Sequence, residues 1–190
     1  MIPALTGVLA PHGLATSFES IATVTVGSGG SSSLDFSSIT GTYQHLQLRI
    51  IGRFTNASSG GTGTYIRLGN GSIDTGTNYT NHILYGTGSA AGTYTPTNPL
   101  NNPIVIDVIQ GGSTANVFGV AIIDILDYST TGQKYKTIRS LYGWDLNGSG
   151  TVALASASWM STNPVTNISI FNSSLTFAQY SQAALYGVKA

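Results

Sequence analysis

Short segments that alternate apolar and polar residues recur along the whole chain, and they constrain its fold more than any other feature. Residues 46–50 and 65–68 alternate in this way, as strands with one buried face do. Loops rich in glycine, serine, threonine and asparagine separate such segments, and no stretch shows the sustained 3.6-residue period of an amphipathic helix. The pattern predicts an all-β fold, a single β-sandwich whose expected form is a jelly roll. A rearranged closed barrel is the alternative.

The other predicted strands are rich in β-branched or aromatic residues and lie between turn-forming residues. One of them, residues 117–126, is nearly all apolar, so we expect it in the middle of a sheet with both faces covered. A tight turn is expected after residue 68, where glycines at 69 and 71 can adopt a positive φ. These strands are residues 21–26, 79–85, 104–109, 117–126, 134–142, 152–159, 168–171 and 177–188.

Residues 1–18 differ from the rest of the chain. They lack β alternation and contain two prolines, and their apolar residues include Leu5, Val8, Leu9 and Phe18. Because a chain of 190 residues usually forms one domain, we expect an N-terminal arm over residues 1–18 and the sandwich over residues 19–190. The arm either lies over its own sandwich or anchors the chain in a neighbouring subunit or another protein. Neither a signal peptide nor a transmembrane span is predicted.

Charge is scarce and balanced. Only 7% of the residues are charged, and seven basic residues match seven acidic ones. This balance argues against binding nucleic acid through a basic face and against a polybasic membrane contact. It favours association with identical copies, because few charges must be desolvated. The chain has no cysteine, which excludes disulfides, thiolate metal sites and a cysteine nucleophile.

Candidates for nucleophilic catalysis are few. The histidines are His12, His45 and His82, and no Gly-x-Ser-x-Gly motif is present. His45 lies at the start of a predicted strand, where we expect a surface side chain. His82 is expected to pack among Tyr79 and Tyr85. A Ser-His-Asp arrangement therefore has little support.

The carboxylates do not form an obvious catalytic pair. Glu19 is the only glutamate, and the odd spacing of Asp124 and Asp127 points them to opposite faces of a strand. Asp127 is expected to end that strand or to pair with Lys134 or Lys136. Glycoside hydrolysis is thus weakly supported, and we predict no catalytic residue and no cofactor.

Residues 145–150 (DLNGSG) imitate the first half of a calcium-binding EF-hand loop. Oxygen-bearing side chains stand at its positions 1, 3 and 5, and glycine stands at position 6. The twelfth position, however, is Ser156 instead of glutamate. We therefore interpret the segment as a hairpin turn and predict no metal site.

Several aromatic residues fall near predicted strand ends or in loops. Tyr79, Tyr94, Tyr142 and Trp144 are candidates for contacting a ligand or a partner. Aromatic rings beside neutral hydrogen-bonding side chains suit carbohydrate, because the C–H face of a sugar stacks on a ring. They also suit a subunit interface, where tyrosine and tryptophan are enriched. Core packing is the third possibility for each of them.

Eight stretches of residues 18–190 together resemble a family of small virion proteins of tailed bacteriophages. The resemblance is a pattern of β motifs without a catalytic signature. The stretches are residues 20–30 (SIATVTVGSGG), 45–50 (HLQLRI), 76–79 (GTNY), 84–86 (LYG), 122–128 (IIDILDY), 134–139 (KYKTIR), 177–181 (FAQYS) and 184–189 (ALYGVK).

The resemblance implies a noncatalytic structural protein displayed on the phage particle, assembled in the host cytoplasm and released by lysis. We expect a tail-fibre or receptor-binding adhesion module, with capsid decoration or an isolated carbohydrate-binding module as alternatives. A glycan-degrading enzyme is a further hypothesis. The expected partners are further copies of the chain, as a homotrimer by analogy with other appendages, and other virion proteins held by the arm. A host-surface glycan is a further candidate.

Overall fold

The computed structural model describes residues 17–189, so most of the predicted arm, with Leu5, Val8 and Leu9, lies outside the described residues. Strands are the only regular elements in this part of the chain. In chain order they are β1 (Phe18–Thr25), β2 (Ser33–Phe36), β3 (His45–Gly52), β4 (Gly61–Asn70), β5 (Ser72–Ile73), β6 (Tyr79–Gly86), β7 (Ala91–Tyr94), β8 (Ile104–Ile109), β9 (Gly119–Leu126), β10 (Lys136–Asp145), β11 (Gly150–Trp159), β12 (Asn167–Phe171) and β13 (Gln182–Val188).

The strands form two antiparallel sheets. The larger sheet has eight strands in the order β1-β13-β3-β9-β10-β11-β6-β7. The smaller sheet has the order β2-β12-β4-β5, and β8 pairs with the other part of β4. The predicted all-β sandwich is therefore confirmed. The jelly-roll form is not confirmed, and β9, β10 and β11 are consecutive neighbours in an up-and-down meander.

The core lies between the sheets and is built by alternation along each strand. In β3, Leu46, Leu48 and Ile50 are buried, and their neighbours point outward. Ile66 and Leu68 of β4 are fully buried in the same apolar cluster. The period of two in the sequence thus places one face of each strand in the core.

Tyr79 is a core residue at the start of β6. Its side chain is fully buried. Its hydroxyl accepts a hydrogen bond from the Leu68 amide at 3.1 Å and lies 3.0 Å from the carbonyl oxygens of Leu68 and Asp74. Burial raises the pKa of this phenol above its ordinary value. Tyr79 is therefore not accessible to a ligand, contrary to the prediction from its place near a strand end.

One arginine organises the loop between β8 and β9. The Arg53 guanidinium donates four hydrogen bonds of 2.7 to 2.9 Å to backbone carbonyls of this loop. Such a fork satisfies carbonyl groups that no strand reaches. The acceptors belong to Gly111, Ser113, Thr114 and Val117.

The strand β9 corrects one prediction. It lies in the middle of the larger sheet, as expected, but only one of its faces is covered. Ile123 and Ile125 are buried, whereas Val120 and Ile122 on the other face are 53% and 43% exposed. Packing among residues 17–189 therefore does not explain the whole apolar run.

Candidate functional site

Six of the seven carboxylates in residues 17–189 are held by hydrogen bonds from neighbouring groups. Asp127, for example, is paired with Lys134, as predicted, and also accepts from Gln44. Asp145 accepts from the Asn147 amide at 2.6 Å, within the predicted hairpin turn between β10 and β11. The other four and their partners are Glu19 with Lys189 and Tyr43, Asp35 with Ser33 and Ser169, Asp74 with Trp159 and Asn78, and Asp124 with Gln47 and Arg139.

Asp107 on β8 is the exception, and it faces a cleft between the two sheets. The cleft has a volume of about 230 Å³. Tyr142 of β10 is 4% exposed and forms its inner part, whereas Tyr85 and Tyr94 are 36% and 43% exposed and stand at its mouth. The remaining lining residues are Gly63, Ile83, Ile104 and Thr151. We call this cavity the aromatic cleft.

The electrostatics of the aromatic cleft are set by burial. Burial raises the pKa of the Asp107 carboxyl above its ordinary value, and the Trp144 indole N–H opposes this rise in part. Burial, and then the charge of Asp107, raise the pKa of Tyr142 as well. Tyr142 therefore keeps its proton at neutral pH and presents a hydroxyl that both donates and accepts.

The indole N–H of Trp144 lies buried beside the aromatic cleft. Its Nε1 is buried and has no hydrogen-bond partner of normal geometry. The ring lies against the backbone of Gly61, where a β-carbon would sit 2.1 Å from Nε1, so that position requires glycine. A second cavity of about 580 Å³ adjoins the ring, and Thr151 lines both cavities. We call it the loop cavity.

Neutral polar groups line much of the loop cavity. It lies between the β6–β7 loop and the β10–β11 hairpin. The hairpin turns through Asn147 and Gly148, which have φ values of 55° and 122°. The lining is Gly86, Thr87, Gly88, Ser89, Trp144, Asp145, Gly148, Ser149, Gly150, Thr151 and Val152.

Three of the four aromatic candidates from the sequence thus come together at one end of the sandwich. Tyr94 and Tyr142 line the aromatic cleft, and Trp144 lines the loop cavity next to it. Sequence reasoning missed Asp107 as a member of the site. A signal was available, because Asp107 is the single polar residue in the apolar segment 104–109.

A second feature is an apolar area on the outward face of the larger sheet. Seven aliphatic side chains on the adjacent strands β3, β9, β10, β11 and β6 are 42% to 60% exposed. They are neighbours across the strands: Leu141 pairs with Ile122 on one side and with Leu154 on the other. We call this area the outer stripe, and it consists of Ile51, Leu84, Val120, Ile122, Leu141, Val152 and Leu154.

A polar row borders the outer stripe on the same strands. Asp124 accepts hydrogen bonds from Gln47 at 2.9 Å and from Arg139 at 2.8 Å, so its charge is compensated within the chain. Ser156 and His82 continue the row on β11 and β6. His82 is exposed and points away from the core, so the prediction that it packs among Tyr79 and Tyr85 is wrong. Alternation along β6 is the reason, since even-numbered residues face outward there.

The predicted arm reaches the described residues only at its end. Phe18 is the first residue of β1, and its ring stacks on Tyr186 with a centroid distance of 4.9 Å. The Arg49 guanidinium lies 5.2 Å from both rings. His45 is the first residue of β3, which pairs with β13. Its ring accepts a hydrogen bond from the Asp127 amide at 3.0 Å and is partly exposed.

No protein-family model, curated protein or solved structure matches this chain. Within residues 17–189, no three metal-binding side chains stand close enough together to hold an ion. The described part of the chain also contains no helix that is long and apolar enough to span a membrane.

Proposed function

We propose that this chain is a noncatalytic structural component of a tailed-phage particle, displayed on the particle surface as a tail-fibre or receptor-binding adhesion module. The outer stripe is the observation that carries the proposal, because contiguous exposed apolar areas at the upper end of this size range often mark interaction sites. The β motifs over residues 18–190 supply the phage context.

The size of the outer stripe fits an assembly surface. Its seven side chains expose about 600 Å² of aliphatic area, the upper end of the largest patch on typical monomers. A standard interface buries about 800 Å² on each partner, so the stripe supplies most of one. Its polar border, with Asp124 and Arg139 neutralising each other, matches the polar rim that surrounds the apolar centre of known interfaces.

The proposed occupant of the outer stripe is a second copy of the same chain. The stripe contains no charge, and the chain has no net charge, so two copies meet without repulsion or a large desolvation cost. The nearly continuous apolar run of β9 is typical of strands covered on both faces. Stripe against stripe gives a two-fold contact, whereas a trimer requires the stripe to meet a different surface of the next copy.

The test is the composition of purified particles. Phage whose genome encodes this chain is banded by density, and peptides of the chain are quantified against those of the major capsid protein. We expect a fixed copy number that stays with the particles after repeated banding. A chain that is abundant in the lysate but lost from banded particles would contradict the proposal.

A further inference from the structure

We propose that the aromatic cleft binds one pyranose unit of a neutral glycan, whose next sugar extends into the loop cavity. This inference rests on the proposed adhesion function, for which it names the receptor chemistry.

The volume of the cleft suits a single sugar ring. The aromatic cleft has a volume of about 230 Å³ and opens to solvent at its mouth. This volume is below the range of about 300 to 1,000 Å³ typical of drug-sized ligands. The loop cavity beyond Thr151 is larger, at about 580 Å³, and leaves room for the glycan to continue.

The polar groups of the site complement hydroxyl groups. The Asp107 carboxylate accepts only, and the Tyr142 and Thr151 hydroxyls both donate and accept. A sugar hydroxyl also does both, so neighbouring hydroxyls of one ring can serve the carboxylate and the two protein hydroxyls together. Trp144 Nε1 is fully covered and acts on the site through Asp107, because its N–H partly offsets the effect of burial on that carboxyl.

The apolar groups complement the C–H face of the same ring. Tyr85 and Tyr94 stand half-exposed at the mouth, and Ile83 and Ile104 extend the apolar wall. Tyr85 lies across Gly92 of β7, where a β-carbon would sit 2.6 Å from its ring. This contact limits the freedom of the ring, so little side-chain entropy is lost when a ligand packs on it.

The charge of the cleft selects against acidic sugars. Asp107 is its only charged lining residue, and no lysine or arginine is among the groups that line either cavity. A uronic or sialic acid would therefore place a second negative charge beside Asp107 without a compensating cation. A free ammonium group would be attracted instead, and the test below separates that outcome.

The experiment is ligand-detected saturation-transfer NMR on the full chain. The probes are the methyl glycosides of glucose, galactose, mannose, rhamnose and N-acetylglucosamine, with N-acetylneuraminic acid and tetramethylammonium for comparison. We expect at least one neutral glycoside to bind, and the disaccharide of that sugar to bind more tightly. Asp107→Asn and Tyr94→Ala should each weaken binding at least tenfold, because the first replaces a charged acceptor with a weaker neutral one and the second removes a ring from the cleft mouth.

Tyr135→Ala is the matched control, since Tyr135 is a 54% exposed tyrosine outside both cavities. It should leave binding unchanged. The proposal is overturned if no neutral glycoside binds, if the acid or the ammonium ion binds in preference, or if the two cleft variants bind like the wild type. Because the assay uses free protein, its failure leaves the particle assignment intact, and absence from particles leaves glycan binding intact.

Discussion

Replacement of Leu154 by lysine should break the self-association proposed for the outer stripe. Leu154 lies between Leu84 and Leu141 on adjacent strands and is 52% exposed. Its free surface is about 90 Å², and burying that area contributes about 2 kcal/mol. A two-fold contact loses this contribution from both copies, about 4 kcal/mol, which corresponds to a dissociation constant about a thousandfold higher. The cost of burying the lysine charge adds to this loss.

Sedimentation velocity over a wide range of protein concentrations measures the effect. The wild-type chain should associate with rising concentration, and Leu154→Lys should remain monomeric. At a concentration where both are monomeric their melting temperatures should agree, because residue 154 is largely exposed in the single chain. Tyr135→Lys, at 54% exposure outside the stripe, should associate like the wild type. Equal masses for the wild type and Leu154→Lys would refute the reasoning. The reasoning would also be refuted if the wild type associated only after removal of residues 1–16. That segment, and not a second copy, would then be the occupant of the outer stripe.

Three further predictions concern single residues. Asp107→Asn should raise the melting temperature at pH 7, because burial raises the folded-state pKa of Asp107 and its ionised form destabilises the fold. That gain should shrink as the pH falls through the raised folded-state pKa of Asp107, and it should vanish below the unfolded-state pKa of about 3.9, where the wild-type carboxyl is neutral in both states. A gain that is independent of pH would contradict the assignment. Tyr79→Phe should lower the free energy of unfolding, measured in urea, by about 1 to 3 kcal/mol, because it leaves the buried Leu68 amide without its hydrogen-bond partner. A change near zero would contradict this and would mean that water replaces the hydroxyl. Arg53→Lys should speed hydrogen exchange in residues 111–117, since an ammonium group cannot serve four carbonyls, and unchanged exchange would show that the loop holds without the guanidinium.

Most of the sandwich could be predicted from alternation alone. The strands from residue 45 onward that alternate cleanly, such as β3 and β10, were found close to their observed bounds. The short strands β2, β5 and β7 were missed, because two to four residues among glycine and serine carry too little pattern. Residues 177–181, predicted as part of the last strand, instead contain Phe177, which makes isolated bridges to Ser31 and Phe54.

The candidate site could be predicted only in part. Tyr94, Tyr142 and Trp144 were candidates because aromatic rings near predicted strand ends, beside neutral hydrogen-bonding groups, suit a ligand or a subunit interface. Tyr79 shows the same local pattern and is nevertheless buried, since only the register of β6 and the position of Leu68 decide which side faces the core. Asp107 required the packing of β8 against β10, a contact between distant parts of the chain that no local pattern encodes.

The outer stripe shows how a wrong prediction can be informative. The apolar run of β9 led to the expectation of a strand covered on both faces, and residues 17–189 cover only one of them. The period-two pattern shows where side chains point but not which molecule covers them. The second copy proposed above would cover Val120 and Ile122 and so account for the apolar run.

Gold labelling of intact phage particles with antibody against the recombinant chain would locate the chain on the particle. We expect label on the outside of the particle, at the tail end, in several copies. Label over the head would contradict adhesion and support the alternative, capsid decoration. Particles that carry no label, while the same antibody detects the chain in the lysate, would contradict the account.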